Sequence, residues 1–326
     1  MIKLTNLLLP IKYTDDDIRN EIKRKLKIGD YDILSFEVIK DSIDAHKRGE
    51  IHRCVSVGVS LRGEKRFYDV KGVEKYEKFQ YEYPPVSRLE KRPVVVGSGP
   101  AGLFAAHILA VCGARPILIE RGMDVDARQK AVKTFFLGGK LDTECNIQFG
   151  EGGAGTFSDG KLTTRINDPL CEYIMERLAF FGVPDETLKK AKPHIGTDKL
   201  RIVVKNIRQE IIRLGGEVRF GVKLDGITLK NGSVSAISVG GQTIPAQQLV
   251  LAIGHSARDT FEMLMDQQIP MTVSSIISHK QEIHSENVEY LTCDAGHTDI
   301  LYDDDGTAND AVIESVHRFL VRQIEK

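Results

Sequence analysis

The chain has 326 residues, of which 41% are hydrophobic and 28% are charged, so it is long enough for two or three globular domains with buried cores. Its 45 basic and 46 acidic residues give a net charge of −1, and no segment forms a basic stripe. This balance argues against nucleic acid or an anionic membrane as a partner, so we expect a small-molecule substrate or a protein partner.

The five cysteines (Cys54, Cys112, Cys145, Cys171 and Cys293) are widely spaced and include no C-x-x-C pair. This spacing argues against a disulfide framework, a redox dithiol and a zinc knuckle, so we expect no metal site and a reducing compartment. The N-terminus lacks the pattern of a signal peptide, and no stretch of about 20 apolar residues could span a membrane. We therefore expect a cytoplasmic protein without a membrane span.

The first 88 residues alternate strand and helix signals without a nucleotide-binding fingerprint. The pattern predicts a strand at Ile2–Ile11, a helix at Asp15–Leu26, and strands at Tyr31–Lys40 and Glu50–Leu61. Residues 74–92 are charged and aromatic and contain two adjacent prolines, which is typical of a linker. We therefore expect a small α+β module over residues 1–88.

From Arg92 onward the pattern predicts a Rossmann-like α/β domain over residues 92–265. Pro93–Val96 and Pro116–Ile119 are apolar runs typical of buried parallel strands, and the helical pattern of Leu103–Cys112 separates them. The later elements are helices near Cys171–Phe181 and Asp198–Leu214, short strands within Glu217–Ile244, and a buried strand at Gln248–Ile253.

A glycine loop, Gly97-Ser98-Gly99-Pro100-Ala101-Gly102, lies between the first buried strand and its helix, the context that G-x-G-x-x-G needs for dinucleotide binding. Gly97 permits the turn, Gly99 lets the backbone approach a pyrophosphate, and Gly102 lets the helix pack on the strand. The helix N-terminus favours the anion. Glu120, which ends the second strand, is positioned to accept hydrogen bonds from ribose hydroxyls and disfavours a 2′-phosphate. The alternative is a structural turn with a surface glutamate.

A second glycine-rich stretch runs from Asn146 to Lys161, with five glycines between Gly150 and Gly160. Its backbone can approach a flat ligand closely, and its amide groups can serve a phosphate or a flavin ring. The alternative is a flexible surface lid without ligand contact.

Five segments carry a specific family resemblance: VVVGSGPAGLFAAHILA, LIERG, NIQFGEGGAGTFSDGKLTTRI, KPHIGTDKL and LVLAIGHSARDTFEML. Together they closely resemble a family of uncharacterised bacterial FAD-dependent dehydrogenases, relatives of the glutathione-reductase-type flavoproteins. The resemblance spans roughly residues 1–265. It implies an FAD cofactor, whose ADP half the first glycine loop and Glu120 bind.

The resemblance also implies that the second glycine loop lies against the flavin or its pyrophosphate. The segment GEVRFGVKL is similar to a strand whose backbone meets adenine, and LAIGHS is similar to a return strand near the cofactor. The expected cofactor-binding residues are Gly97, Ser98, Gly99, Pro100, Ala101, Gly102, Glu120, Arg121, Gly150, Gly152, Gly153, Ala154, Gly155, Leu224 and Gly254, with His255 as a neighbour.

Two histidines are open to more than one interpretation. His255 could move protons at neutral pH, but a structural role is the better expectation. His194 and Asp198 could form a substrate-side pair, or Thr197 or Asp198 could cap a helix. The catalytic residues therefore stay unassigned, because a flavin itself carries the hydride chemistry.

Residues 266–326 depart from this family and form a divergent C-terminal segment. A Gly-His loop followed by an amphipathic pattern is similar to the C-terminal end of an α/β-hydrolase, which would make His297 a general base and Ser256 the nucleophile. Arg258 replaces the closing glycine of a nucleophile elbow, so an esterase is the weaker alternative.

The sequence thus predicts an FAD-dependent oxidoreductase that passes hydride or electrons between bound FAD and an unknown substrate. A second nicotinamide-binding G-x-G-x-x-G is not visible, so NADH or NADPH would bind transiently at the flavin, or the donor would be a different one. The other alternative is an FAD-binding remnant that lost catalysis with its substrate cap.

Overall fold

The computed structural model describes residues 1–47, 50–70, 72–85, 89–157, 160, 162, 168–190 and 193–269. The described residues form two compact units. Unit 1 contains residues 1–81 and 168–195, and unit 2 contains residues 82–160 and 196–269. The grouping of residues 168–195 with the N-terminal unit has no counterpart in the sequence pattern. The division into residues 1–88, 92–265 and 266–326 stays a prediction.

In chain order the helices and strands are β1 (Ile2–Leu9), α1 (Asp15–Leu26), β2 (Ile33–Lys47), β3 (Glu50–Leu61), β4 (Val73–Lys75), β5 (Val94–Val96), α2 (Pro100–Val111), β6 (Ile117–Glu120), α3 (Val125–Phe136), α4 (Leu170–Phe180), α5 (Asp185–Leu188), α6 (Thr197–Arg213), β7 (Glu217–Phe220), β8 (Leu224–Lys230), β9 (Ser233–Val239), β10 (Gln242–Pro245), β11 (Leu249–Leu251) and α7 (Arg258–Asp266).

Unit 1 is built on an antiparallel sheet in the order β2-β3-β1-β4. Helix α1 covers it, and its residues Ile18, Ile22 and Leu26 join the apolar side chains of β1 in one buried cluster. The bounds of α1 and β3 are those that the sequence predicts. The prediction for β2 was wrong at its end, because pairing with β3 extends the strand to Lys47. Strand β4 falls at the start of the predicted linker and pairs with β1.

Unit 2 is built on a parallel sheet in the order β11-β5-β6-β7, with α2 packed against α6. Every residue of β5 and β6 is buried, as the apolar runs predict. Strands β8, β9 and β10 form a separate antiparallel sheet. This arrangement confirms the predicted α/β class with a Rossmann-like domain.

The sequence pattern did not predict helix α3 of unit 2. The N-cap residues that it suggested for helix α6 were also wrong. Helix α6 begins at Thr197 with Gly196 as its N-cap residue, and no side chain forms the cap hydrogen bond, so neither Thr197 nor Asp198 caps it. Gly196 takes this place because its φ of 85° is open to glycine.

Further expectations concern the C-terminal residues, membrane spans and metal sites. The predicted Gly-His loop with His297 and the amphipathic pattern after it lie outside the described residues. Among the helices in the described ranges, none is long and apolar enough to cross a bilayer. Within those same ranges, no three His, Cys, Asp or Glu side chains gather as metal ligands would.

The N-terminus of α1 provides a test of the fold of unit 1. The Thr14 hydroxyl accepts a hydrogen bond from the Asp17 amide at 3.3 Å, and the Asp17 carboxylate accepts one from the Thr14 amide at 2.8 Å. We expect Thr14→Ala to lower the free energy of unfolding of this unit by about 1 kcal/mol, because the Asp17 amide loses its side-chain acceptor. Denaturant unfolding followed by hydrogen exchange in α1 measures this. Thr14→Ser retains the hydroxyl and should stay close to wild type; equal losses for both variants would contradict the capping role.

Candidate functional site

The turn between β5 and α2 is shaped by close backbone contacts at two glycines. The Gly97 amide donates to the Ile119 carbonyl oxygen at 2.8 Å, and Gly97 has a φ of 97°. A Cβ on Gly97 would lie 2.2 Å from the Ala252 carbonyl oxygen, and one on Gly102 would lie 1.8 Å from the Gly97 carbonyl oxygen. Both positions therefore require glycine for packing alone.

Gly99 has a different environment from these two glycines. It is the N-cap residue of α2 with an ordinary φ of −66°, and the nearest atom to a Cβ placed there is the Gly153 Cα at 4.0 Å. Pro100 follows as the first helical residue, where its missing N–H costs nothing. The N-terminus of α2 thus lies against the second glycine loop at Gly153.

The Glu120 carboxylate links the two glycine loops. Oε2 accepts hydrogen bonds from the Ser98 amide at 2.8 Å and from the Ser98 hydroxyl at 2.9 Å. Oε1 accepts from the Gly122 amide at 2.8 Å and from the Gly150 amide at 3.0 Å. Glu120 is buried, so these bonds replace the water that a carboxylate needs.

The second glycine loop is organised by a buried arginine of α3, which the sequence reasoning missed. The Arg128 side chain is fully buried, and burial lowers the pKa of its guanidinium to about 10, which keeps it charged at neutral pH. A Cβ on Gly150 would lie 2.4 Å from Arg128 Cδ, so the loop backbone approaches the guanidinium stem closely. The guanidinium donates at 2.7–3.3 Å to the carbonyl oxygens of Asn146, Ile147, Gly150, Glu151 and Gly153 and to the Thr156 hydroxyl.

Glu151 of the second glycine loop contacts two helices, α3 and α6. Its Oε2 accepts from the Val125 amide at the start of α3 at 2.8 Å. Its Oε1 lies 3.0 Å from Arg208 Nε of α6, an ion pair without hydrogen-bond alignment. Burial raises the pKa of Glu151, while the Val125 amide and Arg208 oppose that shift. The loop is therefore held by the first turn of α3, through Val125 and Arg128, and by Arg208 of α6.

An open cleft lies over these loops. Most of the predicted residues line it: Gly97, Gly99, Pro100, Glu120, Arg121, Gly150, Gly153, Ala154, Gly155, Leu224 and Gly254. The remaining four are not among its lining residues: Ser98, Ala101, Gly102 and Gly152. Ser98 is fully buried against Glu120, and the Gly152 amide donates to the Ser98 carbonyl oxygen at 2.8 Å, so both act behind the cleft wall.

The cleft also contains residues that the sequence reasoning did not select. Val222 and Lys223 follow β7, and the Val222 amide donates to the Glu120 carbonyl oxygen at 2.9 Å. Others follow β11 or precede Gly150: Ala252, Ile253, Ala257, Thr260, Gln148 and Phe149. His255, the expected neighbour of the cofactor, and Ser256, the nucleophile of the esterase alternative, line the cleft as well. The signal was available, because ligands of parallel sheets bind beyond the carboxyl ends of the strands.

Arg121 forms one wall of the cleft. Its guanidinium binds the carboxylates of Glu144 and Asp259 with two hydrogen bonds each, at 2.8–3.1 Å, and lies 4.1 Å from the centre of the Phe149 ring. Burial lowers the pKa of Arg121, but the bonds to Asp259 and Glu144 outweigh that effect and raise it. Lys223 also reaches Asp259, at 3.1 Å. The cationic side chains at this end are thus paired with carboxylates.

Ser256 is the nucleophile of the esterase alternative. Its hydroxyl donates to Gln148 Oε1 at 3.0 Å and lies 3.2 Å from Nε2 of His255. A positive φ occurs at Gly254, with 69°, and not at Ser256. The strained turn of a nucleophile elbow is therefore not formed at this serine. The pairing with His297 stays a prediction.

Arg128 gives the sharpest stability test of the site. We expect Arg128→Met to lower the free energy of unfolding of unit 2 by about 3 kcal/mol or more, because buried carbonyl oxygens lose their donors. Arg128→Lys should also destabilise, since an ammonium has three donors and cannot reach all of these oxygens. Denaturant unfolding and the amide exchange of residues 146–156 measure both effects. Lys133→Met, an exposed position on the same helix, is the control. Unchanged exchange in the loop of the Met variant would refute the role of Arg128.

Asp259 gives a pH-dependent test. Hydrogen bonds from Arg121 hold the pKa of Asp259 well below its usual value of 3.8. As the pH falls, the Asp259 carboxylate is protonated in the unfolded state before it is protonated in the folded state. Ionised Asp259 therefore stabilises the fold above about pH 4, and this contribution is lost as the pH falls further. We expect Asp259→Asn to be less stable than wild type at pH 6, with the difference shrinking below pH 4. Denaturant unfolding from pH 2 to 7 measures it. Asp266→Asn, at the exposed end of α7, should show no such trend; a constant difference for Asp259→Asn would contradict the pairing.

Comparison with known proteins places this site in a family. A model of the pyridine nucleotide-disulphide oxidoreductase family matches residues 91–294, and a model of a domain of unknown function (DUF8436) matches residues 1–60. An uncharacterised protein of Clostridium beijerinckii is 44% identical over 299 residues, which are 88% of this chain and 56% of that protein. The chain therefore spans about half the length of this curated relative.

Solved structures were also compared. THI4 of Thermovibrio ammonificans is 20% identical, with a TM-score of 0.38 over 55% of this chain and 63% of that chain. Glycine oxidase of Bacillus cereus is 13% identical, with a TM-score of 0.35 over 54% of this chain and 58% of that chain. Because the family model matching residues 91–294 covers more than half of the sequence, the chain belongs to the pyridine nucleotide-disulphide oxidoreductase family.

Proposed function

We propose that unit 2 binds FAD in the cleft and that the protein is a flavin-dependent oxidoreductase. One observation carries this proposal: the N-terminus of α2 and the two glycine loops line one cleft, where Gly99 and Gly153 bring their backbones together without side chains. A helix N-terminus with no Cβ in the way is suited to a pyrophosphate. Membership of an oxidoreductase family supports the same ligand class.

The ADP half of FAD fits the remaining residues of the cleft. Glu120 lies one strand away from the glycine loop, at the place where a ribose meets an acid in this type of domain. Val222, Lys223 and Leu224 present backbone for an adenine edge, and Arg121 lines the same part of the cleft. Gly254 and its neighbours cover the cleft from the β11 side.

Arg128 and Glu151 hold the second glycine loop in place, so that its backbone from Gly153 to Gly155 is fixed before the pyrophosphate arrives. Binding then requires little ordering of the loop, which lowers its entropic cost. Bound FAD supplies the redox chemistry, accepting a hydride and passing its electrons on.

For the electron donor and the substrate, the proposal names a chemical class. The letters of G-x-G-x-x-G recur at Gly150–Gly155, but there they follow a loop after α3 rather than a strand. NADH or NADPH would therefore bind transiently at the flavin, and the substrate is a small molecule. We place the protein in the cytoplasm.

A non-catalytic FAD-binding protein is the second candidate. The matched region covers 56% of the length of its relative, so the activity of that longer protein is not carried over to this chain. Such a protein would hold FAD in the same cleft without turning over a substrate. The two candidates therefore differ in the reduction of the flavin and not in its binding.

Gly99→Ala tests the binding site directly. We expect its affinity for FAD to fall by about tenfold or more, because the new methyl group occupies the pyrophosphate position. The stability of the ligand-free protein should change by less than about 1 kcal/mol, since the φ of Gly99 suits alanine and the Cβ would meet only the Gly153 Cα, at an ordinary contact distance of 4.0 Å. Titration of FAD against the protein, followed by flavin fluorescence, and denaturant unfolding measure the two effects.

Gly29→Ala is the matched control, because Gly29 also precedes a helical turn and its Cβ would meet only Asp32 Oδ2 at 4.0 Å. If wild-type protein binds no FAD, the proposal fails. If FAD binds and NADH or NADPH bleaches its visible absorbance without oxygen, the oxidoreductase is supported. Bound flavin that no such donor bleaches favours the non-catalytic candidate.

A further inference from the structure

The Glu120 carboxylate has all of its acceptor positions in use. A carboxylate offers about four lone-pair directions, and here four donors lie within 2.8–3.0 Å of its two oxygens. Three of the donors are backbone amides of Ser98, Gly122 and Gly150, whose positions the loops fix. The fourth is the Ser98 hydroxyl, which can rotate about its Cα–Cβ bond.

This arrangement has a consequence for any ribose that meets Glu120. A ribose hydroxyl donates to the carboxylate only if one of the four donors gives way. The three amides cannot leave without moving both glycine loops, and the Ser98 backbone is held further by the Gly152 amide on its carbonyl oxygen at 2.8 Å. The Ser98 hydroxyl is thus the one donor that can leave by a side-chain rotation.

We infer that Ser98 is an affinity-determining residue whose hydroxyl competes with the ribose for Glu120 Oε2. The inference rests on the proposed function, since it concerns the ADP half of FAD in the same cleft. In the ligand-free protein the hydroxyl satisfies a buried carboxylate and stabilises the loop. In the complex the ribose hydroxyl takes the place of the Ser98 hydroxyl at Glu120. Binding is therefore weakened by the free energy of the hydrogen bond that Ser98 loses.

The inference predicts opposite effects of one substitution on stability and on affinity. Ser98→Ala removes a donor from a buried carboxylate, so the ligand-free protein should melt at a lower temperature. The same change leaves an acceptor position ready for the ribose, so ADP should bind about 3- to 10-fold more tightly. A residue with only a structural role would lower the stability without raising the affinity.

The test is a cycle of two proteins and two ligands. The full chain, freed of bound nucleotide, is titrated calorimetrically with ADP and with 2′,3′-dideoxy-ADP, for wild type and for Ser98→Ala. We expect the tighter binding of the variant with ADP and not with the dideoxy ligand, because that ligand brings no hydroxyl to Glu120. Ser98→Gly also lacks the hydroxyl and replaces the alanine variant if that variant does not fold.

The outcomes separate the two proposals. An equal change with both ligands, or weaker ADP binding by the variant, overturns the role of Ser98 while leaving FAD binding in this cleft intact. In the second case the hydroxyl would itself hold the ribose. Failure of the wild-type protein to bind ADP and FAD at all overturns the proposed function, and the inference about Ser98 with it.

Discussion

The arrangement of the site depends on two buried charges that satisfy backbone groups of opposite polarity. Irregular loops carry amide and carbonyl groups that must find partners when they are buried. The Arg128 guanidinium supplies donors to five carbonyl oxygens of the second glycine loop. The Glu120 carboxylate accepts from one amide of each glycine loop and from the Gly122 amide after β6. Neither loop could keep its shape in a buried position with apolar neighbours alone. Arg128 and Glu120 therefore act mainly by stabilising the backbone conformation of the loops, and less by attracting each other.

This division of roles explains why the cleft walls contain so many glycines. Gly150 comes so close to Arg128 that a side chain would displace the guanidinium, and Gly97 and Gly102 bring strand, turn and helix together. Gly99 is the exception, since a Cβ there would meet only the Gly153 Cα, at an ordinary contact distance of 4.0 Å. A glycine retained where the protein itself has room indicates space for a ligand. Within one motif, Gly97 and Gly102 thus serve packing, whereas Gly99 is available for contact with a ligand.

The sequence predicted the parts of this site that follow from local rules. The turn after β5, the helix α2 and the end of β6 at Glu120 follow from apolar runs and glycine spacing, and all three are present. Arg128 could not be found in this way, because arginine is rarely fully buried and its partners lie in a loop some twenty residues later. Helix α3 was missed for a related reason. Only Val125, Arg128 and Val132 of its residues are buried, so it has almost no apolar periodicity to detect.

Charge pairing also determines what attracts an anion to the cleft. Arg121 is engaged by Glu144 and Asp259, and Arg128 lies beneath the loop backbone among carbonyl oxygens. Positive potential beside Gly99 therefore comes mainly from the backbone N–H groups at the start of α2. Such dipoles are fixed by the fold and need no reorganisation when a ligand arrives, unlike long, mobile lysine side chains. Glu120 places a negative charge one strand away, so the site can favour a pyrophosphate at the helix and neutral hydroxyls beside the acid. The polarity of a bound dinucleotide along the cleft follows from this order of charges.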